Sequence, residues 1–371
     1  MSAKKIFFLR KSKVYIIAEA GVNHNGNIKL AKKLIDKAIL VGANAIKFQT
    51  FKTENLVHKN AKKADYQKNT ANESDKQIDM LKKLELSFSD FVSLNKYCKK
   101  KKIEFLTSAF DDDSLEFVVN KIKPKYLKIP SGEITNGPFI LKHALSGKKI
   151  ILSSGMSNLK NIEDALKIIA FGYLNKKKKY IKPSVKKFNI AYKNIKAIKL
   201  LNKNVILLQC TSEYPTKLND INLDTLNTFK KKFGLSFGLS DHSTSILPSL
   251  LAVNMGAKII EKHFTLNKNF KGPDHKSSLN PNEFKKLVNE INNAIIIKGS
   301  HVKKVYKSER KNIIPVRKSM YARINIKKGE LFSNKNIIMK RPGVGISPMK
   351  FWEIIGKKSK YNFSKGQKIK L

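Results

Sequence analysis

The sequence predicts an α/β fold, a (β/α)8 TIM barrel followed by a small β-rich domain. Eight short β-type runs alternate with amphipathic helical stretches over about 280 residues, which matches this barrel in number and size. Polar side chains collect at the carboxyl ends of these runs, and the chain after the last helical stretch consists of short segments separated by glycine turns. On the alternation alone, a doubly wound parallel sheet remains the alternative fold.

The strands and helices are predicted from the period of the apolar residues. The first helix lies in NIKLAKKLIDKAILVG, where the apolar residues of 28–38 share one face and Gly42 ends the pattern. A later helix begins near Pro281, and the apolar residues of 284–291 repeat at the same spacing. The eight predicted strands cover residues 14–20, 45–51, 103–110, 126–132, 149–155, 205–210, 235–242 and 258–264.

These elements divide the sequence into a barrel, a linker and a second domain. The barrel is predicted over residues 1–295, with a lysine-rich insertion at about 173–204 that is longer than one barrel connection needs and should contain some helix. A linker at 296–312 and a β-rich domain at 313–371 follow. The turn sequences KKG, RPGVG and SKG punctuate this last domain.

The chain is strongly basic, with 75 Lys and Arg against 28 Asp and Glu and a formal net charge of +47 over 371 residues. A nucleic-acid-binding protein is one explanation, because lysine and arginine neutralise phosphates. The lysines, however, are spread over almost every predicted helix, and no aromatic-basic RNA-binding motif is present. We therefore expect solvated lysine faces and a general attraction for anionic small molecules, and no nucleic-acid partner.

The sequence also bears on location. Only four consecutive apolar residues precede Arg10, too few for a signal-peptide core, and no stretch approaches the roughly 18–20 apolar residues of a membrane span. Cys98 and Cys210 lie in separate segments without a CxxC pattern, as is typical of free thiols in a reducing compartment. We expect a cytoplasmic protein with no membrane partner.

Chemically capable side chains end every predicted strand. In a TIM barrel the active site is built at the carboxyl ends of the strands, so polar residues at all eight ends predict a catalytic pocket there. In chain order these residues are Glu19 and Asn23, Lys47 and Gln49, Ser108 and Asp111, Lys128 with Ser131 and Glu133, Ser153 and Ser154, Gln209 and Thr211, Asp241 and His242, and His263.

His242 and His263 are candidate metal ligands. They are 21 residues apart, which is one barrel repeat, so both should project over the same rim. Two neutral imidazoles with positions left for water and substrate suit Mn²⁺, with Zn²⁺ or Mg²⁺ as other candidates. Strand alternation puts Glu261 on the face of His263, where it could orient the ring. The alternative is that the two histidines are independent strand-end caps.

Lys47 and Lys128 are expected to bind an anion. Together with the serines at the ends of strands 4 and 5, they supply the ammonium and hydroxyl donors that a phosphate or phosphate-carboxylate substrate requires. Either lysine could instead be the Schiff-base nucleophile of an aldolase. A third interpretation is a buried salt-bridge network of the two lysines with Glu19 and Glu133.

Eight motifs occur in the order found in the sialic acid synthase family: IIAEAGVNHNG, KFQTFK, YLKIPSGE, SSGMS, CTSEYP, GLSDH, EKHFT and GPDHKSS. The C-terminal SMYARINIKKGE and IIMKRPGVG resemble the SAF (antifreeze-protein-like) domain of that family. The resemblance covers essentially the whole chain. It implies condensation of phosphoenolpyruvate with an N-acetylated mannosamine-type sugar, giving a nine-carbon 2-keto acid and phosphate.

The resemblance also implies roles for individual residues. His242 and His263 would bind the divalent metal, usually Mn²⁺ or Mg²⁺, and Glu19 and Glu133 would be the acid/base and hydroxyl-binding carboxylates. Asp274 would contact sugar hydroxyls, and His275 has no assigned role. The residues implied to hold or surround phosphoenolpyruvate are Lys47, Lys128, Ser131, Ser153, Ser212 and Tyr214. Arg341 would reach the N-acetyl group from the SAF domain of the partner subunit, which implies a domain-swapped homodimer.

Several features depart from the family pattern or narrow the choice of sugar. Gln209 stands where many members have His, TSAF replaces the more usual STPF, and the insertion at 173–204 is not typical. KFQTFKTENLV, YQKNT and PSGEITNGP are closer to the legionaminic acid branch than to other branches. We therefore expect a 2,4-diacetamido-trideoxy-mannose substrate, with N-acetylmannosamine as the alternative and a pseudaminic acid precursor behind both.

Overall fold

The computed structural model describes residues 14–64, 76–178 and 180–371. Within them, eight parallel strands close into a barrel in which each strand pairs with its neighbours in sequence order, which confirms the predicted TIM barrel and excludes the doubly wound sheet. Two stretches lie outside the described residues: the N-terminal residues 1–13, which were considered as a signal peptide, and the YQKNT motif at 66–70. The strands are β1 Tyr15–Gly21, β2 Ala45–Thr50, β3 Glu104–Ala109, β4 Tyr126–Ile129, β5 Lys149–Ser153, β6 Val205–Cys210, β7 Ser236–Asp241 and β8 Ile259–His263.

The helices surround this barrel and are amphipathic, as their periods predict. In α1 the side chains of Ala31, Leu34, Ile35 and Ala38 are buried, and Asn27 caps the helix by accepting from two backbone N–H groups. Among the described residues, no helix has the length and apolar character needed to cross a membrane. The helices of this unit are α1 Ile28–Leu40, α2 Thr53–Leu56, α3 Gln77–Leu84, α4 Phe88–Lys101, α5 Asp112–Phe117, α6 Gly137–Leu145, α7 Leu159–Asn175, α8 Val185–Lys193, α9 Ile195–Asn204, α10 Thr225–Phe233, α11 Leu247–Met255 and α12 Pro281–Lys298.

The inside of the barrel is layered. An apolar layer is formed by the buried residues Ile17, Ala45, Leu106, Ile151, Leu208 and Ile259. Because side chains two residues apart in a strand share a face, the next layer toward the carboxyl ends is set by the sequence. That layer consists of Glu19, Lys47, Ser108, Ser153, Cys210 and Glu261, all buried. Polar side chains from six strands therefore lie at one level of the barrel.

The described residues of the insertion, 173–178 and 180–204, are largely helical. Its first residues continue α7, and a pair of short helices, α8 and α9, follows. Ala191 of α8 and Ala197 and Leu201 of α9 are buried in the same cluster as Ile169 of α7. The insertion thus extends the helical layer of the barrel by packing small apolar residues against α7.

A second compact unit comprises residues 300–371. It contains α13 Lys307–Val316, the antiparallel strands β9 Ser319–Ala322 and β10 Ile337–Lys340, and α14 Phe351–Ile354. Its own core consists of Met320, Ala322, Ile326, Phe332, Ile337, Ile354, Phe363 and Ile369. The predicted linker at 296–312 overlaps the end of α12 and the start of α13, where Glu309 accepts a hydrogen bond from the Tyr306 backbone N–H at 2.9 Å.

Candidate active site

A cavity of about 530 Å³ lies at the carboxyl ends of the strands. Ten of the twelve site residues predicted from the sequence line it: Glu19, Lys47, Lys128, Ser131, Glu133, Ser153, Ser212, Tyr214, His242 and His263. The other two are Asp274, which is buried beside His263, and Arg341, which is exposed in the second unit. The strand ends thus converge as the barrel geometry predicts.

Four buried charges form the floor of the cavity. Lys47 Nζ lies 2.6 Å from Glu19 Oε2 and 3.7 Å from Glu261 Oε2. Lys128 Nζ lies 3.4 Å from the other oxygen of Glu261. The salt-bridge network that the sequence allows is therefore present, but its second carboxylate is Glu261 and not Glu133. Glu133 instead accepts a hydrogen bond from Asn136 at 2.8 Å, near the mouth of the cavity.

Burial and pairing act differently on the two carboxylates of this floor. Burial raises the pKa of Glu19 to about 7, although Lys47 opposes the rise. Burial also disfavours the charge of Glu261, but Lys128, Lys47 and the Ser240 hydroxyl outweigh it and hold its pKa at about 2. Near neutral pH, Glu261 is an ionised anchor for both lysines, whereas Glu19 can gain or lose a proton.

The two imidazoles meet over this floor with ring centroids 5.3 Å apart. His242 Nδ1 lies 2.7 Å from the Thr211 carbonyl, which only accepts, so this nitrogen carries a proton and Nε2, 3.3 Å from Ser240 Oγ, is the nitrogen that could bind a metal. Burial, with His242 and Lys47 nearby, holds the pKa of His263 well below its usual range, so this ring is neutral. Tyr214 stacks on His242 at 4.1 Å between ring centroids.

The donor set fits a divalent metal held by two protein ligands. Among residues 14–64, 76–178 and 180–371, no three His, Cys, Asp or Glu side chains converge as a metal site. His263 Nδ1 is buried without a hydrogen-bond partner among these residues, and it lies 3.6 Å from Asp274 Oδ2, too far for a hydrogen bond. A buried imidazole nitrogen without a partner, close to a second imidazole, is suited to metal coordination.

Hydroxyl groups surround the lysines. Lys128 donates to Ser153 Oγ at 2.8 Å, and Lys47 donates to Ser108 Oγ at 3.3 Å. Gly155 brings the chain close to this group, because a Cβ at this position would overlap the Ser212 and Ser131 hydroxyls. Two ammonium groups and four hydroxyls therefore converge in a small volume, as anion binding requires.

The loop after β8 gives a structural role to His275, for which the sequence predicted none. His275 Nδ1 lies 2.7 Å from Thr265 Oγ1, and its Nε2 lies 3.3 Å from Asn25 Oδ1. Asn25 also donates to the Lys271 carbonyl at 2.9 Å. His275 is therefore a buried link that ties GPDHKSS to VNHNG and places the neighbouring Asp274 beside His263.

Other residues of the site were missed or interpreted differently from the sequence. Glu261 does not orient a histidine ring directly; it accepts from Ser240 Oγ at 2.8 Å and anchors the lysines. Cys210 lines the cavity and accepts from Ser131 Oγ at 3.4 Å, a position that the two-residue strand period indicates. Gln209, the departure from the family pattern, donates to the Ile221 carbonyl at 3.0 Å and supports the loop after β6.

Comparisons with known proteins extend over both units. A model of the NeuB family matches residues 34–303, and one of the SAF domain matches residues 317–371. The N,N'-diacetyllegionaminic acid synthase of Campylobacter jejuni is 44% identical, with 96% of this chain and 99% of that protein covered. The protein of the same name from Legionella pneumophila is 42% identical, with 95% and 92% covered. The crystal structure of N-acetylneuraminic acid (sialic acid) synthetase from Leptospira borgpetersenii in complex with citrate has a TM-score of 0.64 and 33% identity, with 81% and 90% covered.

Replacing Glu261 tests its role as an anchor. Glu261→Gln should lower the free energy of unfolding by about 3–5 kcal/mol, because it leaves Lys128 buried without its carboxylate partner. Urea unfolding followed by circular dichroism measures this. The matched control is Glu54→Gln, which removes an exposed carboxylate 3.5 Å from Lys82 and should change stability by less than about 0.5 kcal/mol. Equal stability of the two variants would show that Glu261 is no anchor.

Proposed function

The chain belongs to the NeuB family, and from this membership we propose that it is a nonulosonic acid synthase. It condenses phosphoenolpyruvate with an N-acetylated mannosamine-type sugar and water to give a nine-carbon 2-keto acid and phosphate. The observation that carries the proposal is the array of two buried lysines and four hydroxyls beside two imidazoles, all in one cavity. The two cysteines are buried free thiols, which supports a cytoplasmic location.

Phosphoenolpyruvate fits the polar floor. Its phosphate and carboxylate would be held by Lys47 and Lys128 and by the hydroxyls of Ser131, Ser153 and Ser212, which present donors from four strands and their loops. Glu19 and Glu261 offset part of the lysine charge before the substrate binds. Because burial raises the pKa of Glu19 to about 7, its carboxylate offsets less of the lysine charge than Glu261 does, which favours an anion.

The reaction needs an activated aldehyde and a controlled proton. A divalent cation such as Mn²⁺ or Mg²⁺, held by His242 and His263, would polarise the sugar aldehyde. C3 of phosphoenolpyruvate then bonds to the aldehyde carbon, and water adds to the electron-poor C2 as Glu19 takes its proton. The aldehyde oxygen receives one of the two protons of this water. The C2–O bond to phosphate then breaks, the new C2 hydroxyl becomes the keto group, and the second proton leaves with phosphate. Glu133 and Asp274 would bind sugar hydroxyls.

One wall of the cavity favours a deoxygenated sugar. Leu56, Leu81 and Phe110 line it, and they pack on a cluster that includes the buried Phe51 and Met80. An apolar wall stabilises a methyl group by about 0.8 kcal/mol per carbon, whereas a hydroxyl facing it loses its hydrogen bonds. We therefore propose a 2,4-diacetamido-trideoxy-mannose as substrate, because its C6 methyl and its second acetyl group offer apolar surface that N-acetylmannosamine lacks.

The metal is tested by phosphate release. Phosphate should appear from phosphoenolpyruvate only when sugar and Mn²⁺ are both present, and EDTA should abolish it reversibly, because the aldehyde is then not polarised. His263→Ala should lose at least about 100-fold in kcat, with Leu40→Ala, an exposed change on α1, as the control. Two results together would instead establish a Schiff-base aldolase. These are full activity in EDTA and borohydride trapping of sugar or pyruvate on Lys128 or Lys47.

The apolar wall is tested by substrate preference. The unaltered protein should have a kcat/KM at least about 10-fold higher with the diacetamido-trideoxy sugar than with N-acetylmannosamine. Leu81→Asn should reduce this ratio, because it places an amide beside the sugar methyl, and the control Leu40→Asn should leave it unchanged. An unchanged ratio in Leu81→Asn would remove the wall from the specificity argument, and a preference for N-acetylmannosamine in the unaltered protein would overturn the proposed sugar.

We also propose that Arg341 acts on the N-acetyl group from the SAF domain of a second copy. Arg341 is exposed in the loop after β10, at the surface of its own unit. Arg341→Ala and His263→Ala proteins, each inactive alone, should recover about a quarter of the activity when mixed under subunit exchange, because half of the dimers then contain one intact site. Arg323→Ala, an exposed change in the same unit, should remain active. No recovery after proven exchange would contradict the swapped arrangement.

A further inference from the structure

The strands that carry His242 and His263 are joined behind the cavity by a buried ion pair. Asp241 of β7 and Lys262 of β8 are paired in the strand register, with Lys262 Nζ 2.8 Å from Asp241 Oδ2. Their side chains are 0% and 1% exposed, respectively. Since neighbouring residues in a strand face opposite sides, this pair lies on the helix side of the barrel wall, whereas Ser240 and Glu261 face the cavity.

Lys262 also binds the loop that follows His242. Its ammonium group donates to the Ser243 carbonyl at 2.6 Å and to the Ser245 carbonyl at 2.7 Å. With Asp241, these acceptors use all three donors of the ammonium. Two carbonyls of the loop after β7 are therefore held by one buried ammonium group, that of Lys262.

Asp241 holds the same loop from the other side. One of its oxygens accepts from the Ser243 N–H at 2.9 Å and the Ser243 hydroxyl at 2.7 Å. The other accepts from Ser249 Oγ at 2.7 Å, in the first half of α11. The pair thus connects β7, β8, the intervening loop and α11 at one point, directly beside both histidines in the sequence.

We infer that Asp241 and Lys262 are positioning residues that set the separation and orientation of His242 and His263 for a divalent cation. The inference rests on the metal of the proposed function. His242 directly follows Asp241 and His263 directly follows Lys262, so any shift between the paired residues changes the distance between the two imidazoles. An ion pair that served stability alone would not need the two loop carbonyls and would be replaceable by apolar residues of similar volume.

The test measures metal binding rather than turnover. Mn²⁺ titrations followed by the electron paramagnetic resonance of free Mn²⁺ give a Kd for each protein. In the double variant Asp241→Asn/Lys262→Met, which removes both charges and keeps the side-chain volumes, Kd should rise at least about 10-fold, as is typical when groups that support metal ligands are changed. If this variant does not fold, the same titration is made on Asp241→Asn alone, for which the Mn²⁺ Kd should rise several-fold.

A control separates positioning from loss of stability. Asn95→Ala removes a buried amide that donates to the Ile122 carbonyl at 3.2 Å, away from the cavity, and should leave the Mn²⁺ Kd unchanged. Near-ultraviolet circular dichroism establishes that each variant is folded during the titration. An unchanged Kd in the folded double variant would overturn the inference alone. Failure of the unaltered protein to bind Mn²⁺ would overturn both the inference and the metal of the proposed function.

Discussion

The site depends on the two-residue period of the barrel strands, which stacks a polar layer on an apolar one. Ile17 precedes Glu19 in β1, and Ile259 precedes Glu261 in β8, so each of these strands adds one apolar and one polar side chain to the interior. The apolar layer closes the barrel below and keeps water from that side. The charges above it are therefore buried, and each must find a partner inside the cavity.

This constraint also determines the electrostatics. Two lysines and two carboxylates share the floor, and their unequal surroundings separate the carboxylates into an ionised anchor, Glu261, and a proton carrier, Glu19. On the other face of the same strands, Asp241 and Lys262 form a second pair that connects the loops and helices around the histidines. The strand alternation therefore turns one charged group toward the cavity, where we propose the chemistry occurs, and the other toward the helices, where we infer a positioning role.

Much of this was accessible from the sequence because strand period and barrel repeat are local and regular. The repeat brought His242 and His263 to one rim, and the motif order indicated the sialic acid synthase family, which the family comparisons confirm. Contacts between distant loops were not accessible: the tie between His275 and Asn25 spans 250 positions, and Leu81 reaches the cavity from a helix outside the strand pattern. Glu133 was placed in the salt-bridge network because it follows a strand, but it lies in a short helical turn that directs it to Asn136.

We propose that one cavity holds the metal and the phosphate of phosphoenolpyruvate side by side. A crystal structure of the Mn²⁺ complex with phosphoenolpyruvate tests it most directly, because anomalous scattering locates the metal independently of the refined protein. We expect one Mn²⁺ peak bonded to nitrogens of His242 and His263, with the phosphate in contact with Lys47 or Lys128. A metal peak away from both imidazoles, or phosphoenolpyruvate bound outside the cavity, would contradict it.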